Sequence, residues 1–260
     1  MILLDTKMNT KENKKILFLF DVDGTLTPPR NKITDEMINI LELIKKYEIF
    51  EIGFVGGSDL EKQKEQLGDS INFFKYWFPE NGLVAYKNQD LFYKSNLLDF
   101  FTEEKLQEFI SYCLKYLADL KIPKKRGTFF EFRNGLINIS PIGRNCNQEE
   151  RDEFENFDKS YKIREEMIIN LKNKFSDLDL VYSIGGQISF DVFPRGWDKT
   201  FCLNHLKLNE FKEIHFFGDK CFKGGNDYEI YSDKKLISHK VDTHKDTIKI
   251  LENIIKISFP

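Results

Sequence analysis

Residues 16–20, Ile-Leu-Phe-Leu-Phe, form an unbroken apolar run of strand length. A run without alternation is buried on both faces, as an interior strand of a parallel sheet is. Apolar residues then recur at helical spacing at Met37, Ile38, Leu41 and Ile44, with Thr34 placed to cap the helix start. "IFEIGFVGGS" predicts a second buried strand that ends in glycines, and "DLEKQKEQLG" a helix closed by Gly68. Strand and helix alternate, which predicts a parallel α/β sheet.

The pattern changes near residue 90. "TEEKLQEFISYCLKYLADL" is an amphipathic helix. "TFFEFRNGLINIS" is a hairpin turning at Asn134-Gly135, residues 149–175 read as helical again, and "GGQISFDVFP" is an alternating strand. After Gly196-Trp197 the first style returns with "IHFFGD", a buried strand ending in an acid. The expected fold is α/β: a core of residues 1–90 and 196–260, interrupted by an inserted α+β domain, 91–195, with an antiparallel sheet.

Composition narrows the function classes. The 260 residues are 41% hydrophobic and 31% charged, an ordinary globular balance, and the 25 phenylalanines read as core filler. A net charge of -3 offers no global field for nucleic acid or acidic membrane, and the basic run "KIPKKRG" is too short to change that. No apolar stretch reaches membrane-span length. "MILLDTKMNTKENKK" places apolar before basic residues, the wrong order for a signal peptide, and reads as a tail before the first strand. Cys113, Cys146, Cys202 and Cys221 show no paired spacing, which fits free thiols in a reducing cytosol rather than a zinc site. The four histidines, His205, His215, His239 and His244, form no sequence cluster.

Three strands end in chemically loaded residues: "DVDGT", "VGGSD" and "FGDKCFKGGND". Ligands of open parallel sheets bind beyond the carboxyl ends of the strands. Adjacent strands would gather Asp21, Asp23, Ser58, Asp219 and Asp227 in one crevice. Crowded carboxylates need a cation, and Mg²⁺ suits all-oxygen ligands and phosphate substrates. Lys199 would add fixed positive charge, and Ser58, leading into a helix, could meet a phosphate. Asp21 could attack phosphorus and Asp23 handle the leaving-group proton, a phosphoryl-transfer site. Singly, each of these motifs is an ordinary loop or turn; together and in order they are not.

The hairpin carries a second set of polar groups. A two-residue turn pairs Arg133 with Leu136, Glu131 with Asn138 and Phe129 with Ser140. Phe130, Phe132, Ile137 and Ile139 then form a core face, and Glu131, Arg133, Asn138 and Ser140 a polar one. Ser189 and Asp191 share a face of the later strand and suit sugar hydroxyls. Arg133, Arg144 and Arg151 read either as a solvated basic face or as binders of a second phosphate. Glu131, Lys124, Lys125 and Arg126 read as solvated. A second phosphate site favours a mutase over a phosphatase, which needs only one.

The four loaded segments resemble the motifs of the haloacid dehalogenase (HAD) superfamily. "FDVDGTLTPPR", "PKKRGTFFEFRNG", "NISPIGR", "GGQISFDVFP" and "GGND" resemble one branch more closely, the eukaryotic phosphomannomutases, and the likeness runs from Leu17 nearly to the end. The resemblance implies a Rossmann-like HAD core with an inserted cap domain for substrate specificity and dimerisation. It implies a cytoplasmic homodimeric isomerase that interconverts mannose 6-phosphate and mannose 1-phosphate, feeds GDP-mannose synthesis and glycosylation, and also acts on glucose phosphates in some members. Mg²⁺ and a hexose 1,6-bisphosphate activator are implied with it. By motif match Asp21 is the nucleophile and Asp23 the acid/base. Metal contacts fall to Asp21, Asp23, Asp219, Asn226 and Asp227, and a second cation site to Tyr231 and Asp233. Substrate contacts fall to Arg30, Arg133, Arg144, Arg151, Ser189 and Asp191. The alternative is a HAD-type sugar-phosphate phosphatase on the same core.

Overall fold

A computed structural model describes residues 14–259. Strand β1 (Lys15–Phe20) is followed by helix α1 (Asp35–Lys45), strand β2 (Phe50–Val55), helix α2 (Leu60–Leu67), strand β3 (Tyr76–Phe78) and the hairpin β4 (Val84–Lys87) and β5 (Asp90–Lys94). Next come helix α3 (Glu103–Asp119), the hairpin β6 (Phe130–Phe132) and β7 (Ile137–Ile139), helices α4 (Gln148–Tyr161) and α5 (Ile163–Lys174), and strands β8 (Leu180–Gly185) and β9 (Ser189–Pro194). Strand β10 (Phe211–Gly218), helix α6 (Tyr228–Tyr231), strand β11 (Ile237–Lys240) and helix α7 (His244–Ser258) complete the described chain. The tail expected before β1 lies outside the described residues. The chain forms two compact units: one from the described residues up to Lys94 together with Asp198 onward, the other Ser95–Trp197.

In the first unit seven strands lie in the order β11-β10-β1-β2-β3-β4-β5. The first five are parallel, and β4 and β5 add an antiparallel edge that the expected parallel sheet does not include. The apolar run of β1 has its reason here. Ile16, Phe18 and Phe20 pack among α1 and α7, while Leu17 and Leu19 pack on the opposite face with Leu203, Phe216 and Ile230. Thr34 caps α1 by accepting the Met37 N–H, and Gly68 closes α2 at φ +54°.

The second unit is a four-stranded antiparallel sheet, β6-β7-β9-β8, with its core between the strands and α3 and α5. The hairpin register is the expected one: Glu131 pairs with Asn138, and the Arg133 N–H donates to the Leu136 carbonyl at 2.9 Å. One of its expected core residues stands outside the core. Phe132, expected in the core, is 50% exposed, because β6 is the sheet's edge strand and Phe132 ends it at the turn. Asn138 and Ser140, expected on a polar face, are buried with hydrogen bonds to Ser189, Asp191 and the Ile188 carbonyl. Strand β8 was not anticipated, and the helical stretch 149–175 is two helices, broken where Lys162 turns left-handed at φ +55°. Lys124 and Arg126 form surface ion pairs with Glu153 and Glu150, and Lys125 donates to the last carbonyls of α3 rather than standing free in solvent.

All four cysteines are free and buried. No described helix is long and apolar enough to cross a membrane. The histidines do contain one pair. His215 on β10 and His239 on β11 stack with rings parallel to within 2° and ring nitrogens 2.9 Å apart. Burial, and then the charge of His215, pushes His239 down to about 4; burial also lowers His215, against the pull of Glu213. A histidine kept neutral in the fold binds its proton only after unfolding. The unfolded chain therefore takes up more protons between about pH 6.5 and 4, and stability falls as pH falls through that window. Denaturant unfolding at pH 7.5 and 5 should show this loss, and His239→Asn should make it smaller. An equal loss in that variant would remove the pair as its source.

Candidate active site

Strands β1 and β10 lie side by side, and the chain leaves β1 toward β2 on its other flank. This is a topological switch point, where parallel sheets open a crevice at their carboxyl ends. Asp21 follows β1 directly, its N–H donating to the Phe217 carbonyl at 2.9 Å; Asp219 follows β10. The loop after Asp219 folds back so that Asp227, fully buried, accepts the Lys220 N–H at 3.0 Å. One oxygen from each of Asp21, Asp219 and Asp227 lies within 4.8 Å of the others. Lys199 enters from a 3₁₀ turn, Lys199–His205, whose start is capped by Asp198 accepting the Thr200 N–H at 2.8 Å. Its Nζ donates to Asp21 Oδ1, and to Asp227 Oδ1 at 2.6 Å.

Electrostatics make this a high-stakes cluster. Lys199 is 1% exposed. Burial opposes its charge, but Asp21 and Asp227 outweigh burial and hold its pKa above the ordinary lysine value. Burial pushes Asp21 up to about 7, against the opposing pull of Lys199; burial and then the charge of Asp227 also raise Asp219. Lys199, with Lys220 beside Asp219, does not balance three carboxylates, which leaves excess negative charge. Asp219 Oδ1 is moreover buried with no hydrogen-bond partner. Unpaired oxygen ligands with surplus negative charge fit a hard divalent cation.

The turn after Asp21 needs its glycine. Gly24 sits at φ +92°, and a Cβ there would lie 2.5 Å from Asp219 Oδ2. Asp23 Oδ1 accepts the Arg30 backbone N–H at 2.5 Å and the Gln66 side-chain amide at 3.0 Å. Arg30 is thus tied to Asp23 through its main chain, at φ +60°, with its residue exposed. Ser58 is exposed beyond β2, and its carbonyl accepts from Glu80 N–H and Gln63 Nε2. Asn226 is exposed beside Asp227. Tyr231 donates its N–H to the Asp227 carbonyl at 2.8 Å, and Asp233 accepts the Lys235 N–H at 2.9 Å. The carboxylates of Asp23 and Asp233 lie outside the three-carboxylate group. Gln63 and Gln66 were not singled out from the sequence. The signal was available, since two amides three residues apart share the buried face of α2 with Leu67.

The second unit holds a connected polar set. Asn138 donates to Ser189 Oγ at 3.1 Å and Asp191 Oδ1 at 2.7 Å, and accepts from Arg144 Nη1 at 2.7 Å. Arg144 and Arg133 both reach Glu131 Oε2, at 2.8 and 3.0 Å. Glu131 is therefore not merely solvated, as expected above. Arg151 Nη2 donates to the Arg144 carbonyl at 3.0 Å. The backbone of Ser189 is fixed in turn by Arg164, buried, paired with Asp158 at 2.8 Å and donating to the Ser189 carbonyl at 3.0 Å. Arg133, Arg144, Ser189 and Asp191 thus meet in one network through Asn138 and Glu131, and Arg151 joins it at the Arg144 carbonyl.

A family model described as "Eukaryotic phosphomannomutase" matches residues 37–257. The chain belongs to the eukaryotic phosphomannomutase family. A phosphomannomutase of Dendrobium officinale is 58% identical over 233 residues, 89% of this chain and 91% of that one. One of Schizosaccharomyces pombe is 55% identical over 247 residues, 94% and 95%. Among solved structures, the C-terminal domain of C. albicans trehalose-6-phosphate phosphatase superposes with a TM-score of 0.59 at 18% identity, covering 95% of this chain and 94% of that one. That likeness is one of fold, the HAD fold. Phosphomannomutases are isomerases, so the family is one of enzymes.

Proposed function

We propose that this chain interconverts mannose 6-phosphate and mannose 1-phosphate through an aspartyl-phosphate on Asp21 and a hexose 1,6-bisphosphate. The observation that carries the reading is that one unit holds a three-carboxylate cluster around Lys199 and the other an arginine-rich polar set. A mutase must recognise two phosphates, and each unit offers one set of groups to do so.

In this reading Asp21 attacks phosphorus, and Asp23, steered by Gln66 and the Arg30 N–H, gives and takes the hydroxyl proton. Ser58 and Lys199 support the transferring phosphoryl group. Asp21, Asp219, Asp227, the Asp23 carbonyl and Asn226 would hold Mg²⁺, and Tyr231 and Asp233 a second cation. When bound, Mg²⁺ supplies positive charge to the phosphoryl oxygens. Arg30, Arg133, Arg144 and Arg151 grip the sugar phosphate away from the nucleophile, and Ser189 and Asp191 its hydroxyls. A hexose 1,6-bisphosphate primes Asp21, glucose phosphates are taken as well, and the product feeds GDP-mannose synthesis and glycosylation in the cytoplasm. The enzyme works as a homodimer joined through residues of the second unit.

The test is a coupled assay of mannose 1-phosphate and glucose 1-phosphate isomerisation with phosphate release followed in parallel. Isomerisation should far exceed release; release at equal or greater rate would make the protein a sugar-phosphate phosphatase. Arg144→Ala should cut isomerisation by about 10²-fold while leaving hydrolysis of a small aryl phosphate nearly intact. Equal losses would remove Arg144 from the distal phosphate.

A further inference from the structure

Within the second unit one carboxylate takes the part of an anion. Glu131 Oε2 accepts from Arg133 Nη2 at 3.0 Å and forms an ion pair with Arg144 Nε at 2.8 Å, so two guanidinium groups converge on a single oxygen. A phosphate oxygen asks for the same donors in the same arrangement. The site is open to an arriving ligand: the side chains of Glu131, Arg133 and Arg144 are 38%, 45% and 31% exposed. The Arg133 hydrogen bond holds the Glu131 carboxyl below the usual glutamate range, so it is charged at neutral pH. Other partners keep Arg144 in place without it, since Asn138 Oδ1 accepts from its guanidinium at 2.7 Å and Arg151 binds its carbonyl. The Glu131 main chain is fixed by its pairing with Asn138, and only the side chain is free to swing.

We infer that Glu131 is an internal competitor for the distal phosphate, holding Arg133 and Arg144 converged until a phosphate displaces it. The inference rests on the proposal that these arginines bind that phosphate. Its value to a mutase lies in release. A bisphosphate must exchange its two ends between transfers, and a carboxylate ready to reclaim the arginines weakens their hold. Glu131→Gln keeps the shape and the acceptor oxygen but removes the charge.

The experiment is a calorimetric titration of the full-length protein with inorganic phosphate, beside steady-state kinetics with mannose 1-phosphate. E131Q should bind phosphate up to about fivefold more tightly, the upper end of the range for removing an exposed charge pair, and its KM and kcat should fall together. In E131Q/R144A the gain should vanish, which assigns it to the arginines rather than to the catalytic cluster. Unchanged or weaker phosphate binding by E131Q, with R144A impaired, overturns the competitor role alone. An R144A variant with wild-type KM and kcat overturns the assignment of the arginines, and the competitor role with it.

Discussion

Asp21→Asn should lower isomerase kcat by on the order of 10⁴–10⁶-fold, the range for loss of a covalent nucleophile. Asparagine has nearly the same volume, and its side-chain oxygen can still accept from Lys199. The backbone bond from residue 21 to the Phe217 carbonyl is untouched. The unit should therefore fold as before, with an unchanged far-UV spectrum and a cooperative thermal transition. The mechanism needs an oxygen nucleophile that an amide cannot replace. A folded D21N enzyme with wild-type turnover would end the aspartyl-phosphate mechanism.

Lys199→Met should act on stability as well as rate. Lys199 is the buried ammonium between Asp21 and Asp227. Removing it leaves two buried carboxylates without their countercharge, a change that costs about 3–5 kcal/mol where one partner of a buried pair is lost. Urea unfolding in metal-free buffer should show the loss directly. Asp21 should also be pushed further above its ordinary range, so less of it is ionised at neutral pH. Added Mg²⁺ should restore stability more in K199M than in the wild type, because the cation then meets more uncompensated charge. A variant as stable as the wild type without metal would show that Lys199 is not the counterion of this cluster.

Much of this was legible in the chain because burial on both faces leaves a plain mark. The run 16–20 reads as an interior strand because it is short, continuous and followed by turn residues, and the acids after it then stand at its carboxyl end. The Asn134-Gly135 turn set the hairpin register, which holds to the residue. What was not legible depended on context. Phe132 looks like its neighbours, yet it ends an edge strand and is exposed. Lys162 carries no glycine or proline signal for the break between α4 and α5; Asp158, in the last turn of α4, spans the break, its carbonyl accepting the Lys162 N–H and its carboxylate accepting from Arg164 of α5. His215 and His239 sit 24 residues apart and meet only because β10 and β11 are neighbours. In the site, the strand-end acids and Lys199 were readable from motif order. The hydrogen bonds of Gln66 and Asn138 were not, since each reaches a residue more than forty positions away in the chain.

The two-faced burial of β1 bears on how catalysis can proceed. Asp21 is the next residue after a strand whose side chains belong alternately to two cores. Local opening that released Asp21 would have to break both, so its amide should exchange with solvent only when the whole unit unfolds. On the proposed mechanism the nucleophile, Asp21, is a fixed point. Whatever must turn over between the two phosphoryl transfers is then the sugar and not the carboxylate. The proposed reaction is then one of a mobile intermediate passing twice before a stationary group.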